Sequence, residues 1–289
     1  MARAPGWSPD FGDWRVDLLE CGRFALDGGS MFGSVPRGIW ERLIPPDRAH
    51  RIPLALRLML LSHSSGARVL VDSGVGDKFD AKFQERFALG PNPADDTPLS
   101  AALGRAGVSL DQVTHLVLTH MHFDHGGGVS RRTADGSLVP TLPEAEHFLQ
   151  RANLETAENP NPRERASYLP ENVVPLRETS LTLLEGEQEV LPGLRLIPTN
   201  GHTDGMQIVR LDGGGRVLYF VADLAPTHHH LHLPITMGYD LCPREIMKEK
   251  QRIWQQAMAE EATLVFEHDP EVATGRITLE RGKYRLQTP

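Results

Sequence analysis

The sequence predicts an α/β protein in which two mixed β-sheets pack face to face, with helices on the outer faces. Three observations carry that expectation. Apolar runs of strand length recur in both halves of the chain, and in each half strands come first and a mix of helices and strands follows. The ligand-type residues gather at the carboxyl ends of these strands.

In chain order, Leu54–Leu61 and Ala67–Asp72 read as two strands joined through Ser64-Ser65-Gly66. Phe79–Ala106 mixes helix-like patches with Pro- and Asp-rich breaks. Val113–Thr119 is a short buried strand of β-branched and aliphatic residues. Arg131–Gly136 is a polar loop with an Asp-Gly turn signal, and Ala145–Ala157 reads as a helix. Asn159–Pro175 is too rich in proline for regular structure and is a candidate cap over a site. Strands follow near 181–184 and 194–198. Gln207–Leu211 and Val217–Ala222 then form a hairpin through Asp212–Gly215. The period of Pro243–Ala259 predicts a helix with Trp254 and Met258 on its buried stripe. A last strand, Thr263–Glu267, leads into His268. No internal repeat or low-complexity linker divides the 289 residues, so they read as a single domain spanning 1–289.

Hydrophobic residues make up 40% and charged residues 24%, an ordinary balance for a soluble globular protein. A net charge of −8 with scattered basic residues argues against a nucleic-acid partner. No apolar run approaches the ~18 residues that a membrane span needs. Met1–Asp10 lacks the apolar core of a signal peptide. Cys21 and Cys242 are far apart in sequence and read as free buried thiols, which points to the cytoplasm. The informative excess is histidine, 13 in all, several at positions that a core would not choose.

Residues 119–128, Thr-His-Met-His-Phe-Asp-His-Gly-Gly-Gly, place His120, His122, Asp124 and His125 at the end of a predicted strand. Imidazole and carboxylate are the ligands of zinc and similar divalent cations. His120 and His122 are two apart and project to one side of an extended segment, and the glycines let the backbone fold closely around the site. A histidine-rich surface loop is the plain alternative, but further ligands follow downstream. His202 lies in a loop after one strand, and Asp223 and His268 end two others. Five histidines and two aspartates are too many for one tetrahedral zinc and suit two metals that share a carboxylate.

His120-x-His122-x-Asp124-His125, followed by His202, Asp223 and His268, resembles the metallo-β-lactamase superfamily of binuclear hydrolases over roughly residues 50–270, and Asp72-Ser-Gly74 is similar to its Asp-x-Gly element. The resemblance implies an αββα sandwich holding two divalent cations, zinc first, with iron, cobalt and manganese as alternatives. It implies that His120, His122 and His202 hold one metal and that Asp124, His125 and His268 hold the other. Asp223 would bridge the two, and Asp72 would orient the metal loop. Asp27–Gly33, Asp223–Thr227 leading to His230, and Met237-Gly-Tyr-Asp240 resemble the branch of N-acyl-homoserine lactonases and methyl parathion hydrolase. That branch implies a metal-bridging hydroxide that opens a lactone or ester, best an N-acyl-homoserine lactone. It makes Asp124 a proton shuttle, Tyr239 a candidate oxyanion donor and His230 a candidate catalytic or substrate-facing group. Roughly residues 1–45 become an extension contributing to the pocket or a dimer contact, with Met31 and Phe32 as pocket candidates and a homodimer as the assembly. A phosphotriesterase or arylesterase is the alternative enzyme. An iron redox protein and a non-catalytic metal scaffold are the alternatives of another class; His122 in place of Glu argues against the flavo-diiron reductases.

The remaining histidines read more plainly. His228-His229-His230-Leu231-His232 is a polar rim with one inward residue, and His115 is a hydrogen-bonded core residue. His50, His63 and His147 read as surface residues. Gly74-Val75-Gly76 lacks the helix and third glycine of a dinucleotide fingerprint.

Overall fold

The apolar run of residues 54–61 reads as continuous because both faces of its strand are covered. In this computed structural model, which describes residues 10–90 and 96–287, Met59 and Leu61 face a second sheet while Leu58 and Leu60 face helices. The first half supplies β1 (Asp10–Phe11), β2 (Trp14–Asp27), β3 (Arg51–His63), β4 (Arg68–Val71), β5 (His115–Val117), a two-stranded ribbon of β6 (Ser130–Arg132) and β7 (Leu138–Pro140), β8 (Glu146–Gln150) and β9 (Ser180–Leu184). The second half supplies β10 (Gln188–Leu191), β11 (Leu194–Thr199), β12 (Met206–Gly213), β13 (Arg216–Phe220), β14 (Thr263–Val265), β15 (Thr274–Glu280) and β16 (Lys283–Gln287). One sheet runs β1-β2-β3-β4-β5-β8-β9 and the other β10-β11-β12-β13-β14-β15-β16. Both are mixed: β4, β5, β8 and β9 are mutually parallel in the first, and β13 pairs parallel with β14 in the second.

Three apolar layers result. Val69, Val117 and Phe148 of one sheet meet Leu196, Val209 and Phe220 of the other in the middle. On the first sheet's outer face, Leu70 and Leu116 lie under α4 (Pro98–Arg105) and its neighbours α1 (Gly28–Phe32), α2 (Arg37–Trp40), α3 (Ala81–Phe87), α5 (Arg151–Glu158) and α6 (Pro170–Leu176). On the second sheet's outer face, Ile208 and Leu264 lie under α7 (Pro243–Ala259), which buries Ile246, Ile253, Trp254 and Ala257 at helical spacing. This is the expected αββα sandwich.

Several expectations need correction. Within the expected extension of roughly residues 1–45, β2 is integral to the first sheet, pairing with β3 from Trp14↔His63 to Asp27↔Arg51. A bulge between Glu20 and Gly22 shifts its inside–outside alternation, which hides the strand from a period-two reading. Ala145–Ala157 is helical only from Arg151; its first part is β8, held between β5 and β9. The proline-rich stretch contains α6, which starts on Pro170 and tolerates Pro175 near its end. His147 is fully buried in β8, not on the surface. Strands β10, β15 and β16 were not anticipated. The stretch Met1–Asp10 lies, but for Asp10, outside the described residues. Among the described residues no helix is long and apolar enough to cross a membrane.

Candidate metal centre

The parallel strands of the first sheet aim their carboxyl ends at one edge of the sandwich, and the motif loop leaves β5 there. Two turns pin it. Asp72, just past β4, adopts a left-handed conformation (φ 59°), which costs a non-glycine residue energy. In return its carboxylate accepts the N–H and the hydroxyl of Thr119, both at 2.7 Å. The triple glycine then closes against residues 73–76. A Cβ on Gly127 would stand 2.1 Å from the carbonyl oxygen of Val75, so only glycine fits. Lys78 ties the far side of the loop, donating to the carbonyls of Gly127 and Ser130.

Seven sequence-predicted residues converge into two buried clusters. His120, His122, His202 and Asp223 form one, and Asp124, His125 and His268 form the other. In the first, Nδ1 of His122 lies 3.0 Å from Nε2 of His120 and 3.1 Å from Nε2 of His202. Asp223 Oδ2 is 3.2 Å from the same His202 nitrogen. A tetrahedral cation at about 2.0–2.1 Å from each nitrogen would set such edges near roughly 3.3 Å, so the donors fit a zinc-like ion. In the second cluster the Nε2 atoms of His125 and His268 are 3.1 Å apart. Asp223 stands between the clusters, with Oδ2 3.5 Å from His125 Nε2 and Oδ1 3.4 Å from His268 Nε2. Asp223 Oδ1 is buried and has no hydrogen-bond partner, as expected of an atom reserved for a metal. Ala222, just before it, is also left-handed (φ 44°).

The electrostatics are those of a ligand set. Burial, then the neighbouring histidines, hold His120 and His122 well below the usual imidazole range, and so neutral. Burial works against ionisation of Asp223, but His125, His202 and His268 outweigh it and hold the carboxyl well below its usual range.

Outer hydrogen bonds fix the rings, as metal-bound histidines require. Nδ1 of His202 meets Asp240 Oδ1 at 2.9 Å, and Nδ1 of His268 donates to the carbonyl of Ala55 at 2.8 Å. Nδ1 of His125 lies 3.1 Å from Asp72 Oδ2. Glu249 of α7 accepts the backbone N–H groups of Asn200 and Gly201 and so holds the His202 loop. Asp240, Glu249 and Thr119 escaped the sequence reading. Asp240 and Thr119 lie inside stretches that the sequence singles out, Met237–Asp240 and Thr119–Gly128, whereas Glu249 left no signal.

The proline-rich segment sits over this edge, as expected of a cap. Tyr168 turns its ring edge to His122, with centroids 4.8 Å apart, and its hydroxyl meets Thr203 Oγ1 at 2.7 Å. Thr203 also donates to Glu164 at 2.8 Å, and Arg163 donates to the carbonyl of Gly238. Tyr168 was not anticipated either.

Tyr239 is the most exposed of the predicted site residues, at 37%. Burial raises its phenol above the ordinary value; a hydrogen bond with Ser30 opposes this, and the charges of Asp27 and Asp124 add to it. His230 is inward-facing, but both ring nitrogens are spent: Nε2 donates to the carbonyl of Met31 at 2.8 Å, and Nδ1 meets Thr227 Oγ1 at 2.8 Å. It is therefore a strut for α1 rather than a catalytic group. Met31 and Phe32 are core residues, 1% and 0% exposed, with Phe32 stacked on Trp40 and His230, so neither presents a surface to a ligand. The other histidines of the run stay outside the clusters, His228 pairing with Asp269 at 2.5 Å.

The comparisons with known proteins agree with this geometry. The profile of the Metallo-beta-lactamase superfamily matches residues 58–268. An N-acyl homoserine lactonase of a Bacillus species is 27% identical over 271 residues, covering 90% of this chain and 95% of its own. That of Bacillus thuringiensis is 26% identical over 267 residues, covering 89% and 94%. Among solved structures, a probable metal-dependent hydrolase from Staphylococcus aureus superposes with a TM-score of 0.85 at 23% identity, covering 96% of this chain and 98% of its own. AidC, a dizinc quorum-quenching lactonase in complex with the product N-hexnoyl-L-homoserine, gives 0.77 at 18% identity, covering 97% and 96%.

Proposed function

Since this chain belongs to the metallo-beta-lactamase superfamily and is a metallo-hydrolase, we propose that it opens a lactone, with an N-acyl-homoserine lactone as the substrate. The observation that supports the two-metal part of the reading is Asp223, whose carboxylate lies 3.2 Å from His202 of one buried cluster and 3.5 and 3.4 Å from His125 and His268 of the other. The lactone part rests on the relatives' activity. In this reading His120, His122 and His202 would hold one cation, Asp124, His125 and His268 would hold the other, and Asp223 would be shared. When bound there, divalent cations would supply Lewis acidity, making water easier to ionise and polarising a carbonyl oxygen. Zinc is the first candidate, given the histidine-rich donor set and the dizinc neighbour.

The protein's own groups do the rest. Asp124 offers a carboxylate at the site's edge, 6% exposed, to carry a proton to the leaving alkoxide. Tyr239 is the candidate donor to the oxygen that gains charge, its ring anchored by α1 through Ser30. Tyr168, packed on His122 and tied through Thr203 to Glu164, would limit water beside the first cluster. Two unpaired cysteines support a reducing compartment, and we place the protein in the cytoplasm. A homodimer is the assembly we propose, by analogy with the lactonase branch.

The deciding experiment is a hydrolysis panel of acyl lactones, aryl esters and phosphotriesters with defined metals. We expect acyl lactones to have the highest kcat/KM. Preference for a phosphotriester or an aryl ester would replace the lactone reading while leaving the hydrolase intact.

A further inference from the structure

Glu267 belongs to neither cluster, yet it is built against one of them. Its Oε2 lies 3.2 Å from Nδ1 of His125, the nitrogen that faces away from the second cluster. Both carboxylate oxygens are fully buried and have no hydrogen-bond partner. A buried carboxylate whose facing polar group is one imidazole nitrogen at 3.2 Å is costly, and an apolar residue of similar size would avoid that cost. The backbone holds it in place: the N–H of Arg57 on β3 donates to the Glu267 carbonyl at 3.2 Å. The buried guanidinium of Arg57 donates to the carbonyls on either side, those of Phe266 and, at 3.0 Å, Asp269. Asp72, the other carboxylate at this nitrogen, already accepts two hydrogen bonds from Thr119.

The geometry points to Glu267 as a positioning residue for the second metal: with Asp72 it brackets Nδ1 of His125 and fixes the ring whose Nε2 faces Asp124, Asp223 and His268. The inference rests on the two-metal reading above. A carboxylate at Nδ1 sets the tautomer that leaves Nε2 free as a ligand and increases the basicity of that nitrogen. Glu267 adds a coupling that Asp72 cannot supply. It is the residue before His268, so the stretch that delivers one ligand also orients another, from the other half of the chain.

The test is Co(II) binding to the full chain stripped of metal, followed by chelator competition and by the visible spectrum of each bound ion. Wild type should bind two Co(II). In Glu267→Gln, and in the apolar, size-matched Glu267→Met, we expect second-site affinity to fall about 10–100-fold and its spectrum to change, with the first site within twofold of wild type. Wild type binding fewer than two ions would overturn the two-metal reading itself. Two ions in wild type with unchanged second-site affinity in both variants would overturn the role of Glu267 alone. Parallel weakening of both sites, or variants that circular dichroism shows to be unfolded, would mark Glu267 as a general structural residue and equally overturn the inference.

Discussion

Asp240 holds His202 by a 2.9 Å hydrogen bond to Nδ1 and is itself held by the backbone N–H of Met237 at 2.7 Å. The loop at 237–240 thus sets the orientation of a ring delivered by the loop after β11. Asp240→Ala should weaken metal binding at the His120–His122–His202 cluster about 10–100-fold and spare the other cluster. Stepwise chelator competition distinguishes the two.

Asp223 belongs to the His120–His122–His202 cluster and also stands within 3.5 Å of His125 and His268. Asp223→Ala should leave at most one tightly held metal per chain and remove nearly all hydrolysis. Elemental analysis of the purified variant, beside wild type, is the check. Two retained metals with full activity would show that the carboxylate is not shared.

Gly127 is locked between the metal loop and residues 73–76. Gly127→Ala pushes a methyl group into a backbone carbonyl, and should cost about 1–3 kcal/mol of stability as overpacking does. Urea unfolding measures the loss. Gly38, in α2, where a Cβ would meet nothing within 4 Å and the backbone is not left-handed, is the comparison site for the same substitution.

Lys250 is buried in α7, where desolvation lowers its pKa from 10.5 to about 8, the charge of Asp240 opposing; its ammonium donates to the carbonyl of Ile235 at 2.8 Å. A depressed lysine pKa means that the folded state releases its proton before the unfolded state does. Stability from this group is therefore greatest above pH 10.5 and is lost as pH falls through 8. Lys250→Met removes that term. Relative to wild type, the variant's stability should be highest below pH 8 and decline towards pH 10.5, by on the order of 3 kcal/mol. Urea unfolding of both proteins at several pH values between 7 and 10.5 tests it; a difference that does not change with pH would refute it.

The ligands were legible in the sequence because metal chemistry restricts them to a few residue types at strand ends. Strands β3, β4, β12 and β13 were legible because apolar runs and turn residues are local signals. Strand β2 was not, because the bulge at Cys21 breaks its alternation and its pairing with β3 is set by tertiary contact. The sequence predicts helix across β8 because Glu146–Gln150 has no local strand signature and is extended only through its two parallel neighbours. Glu249, Glu267 and Tyr168 were invisible for the same reason. Glu249 reaches Gly201 across 48 residues and Tyr168 reaches Thr203 across 35, and no local pattern marks either pairing.

The strand that runs through Ala55 and Arg57 is hydrogen-bonded to residues 267 and 268 as well as to its sheet neighbours. Residues later in the chain therefore complete both clusters: Asp240 and Glu249 fix the loop of His202, and the stretch at 267–268 carries His268 in against β3. A chain cut short of residue 240 would keep the whole 120–125 motif and all four residues of the first cluster, yet lack the groups that orient them.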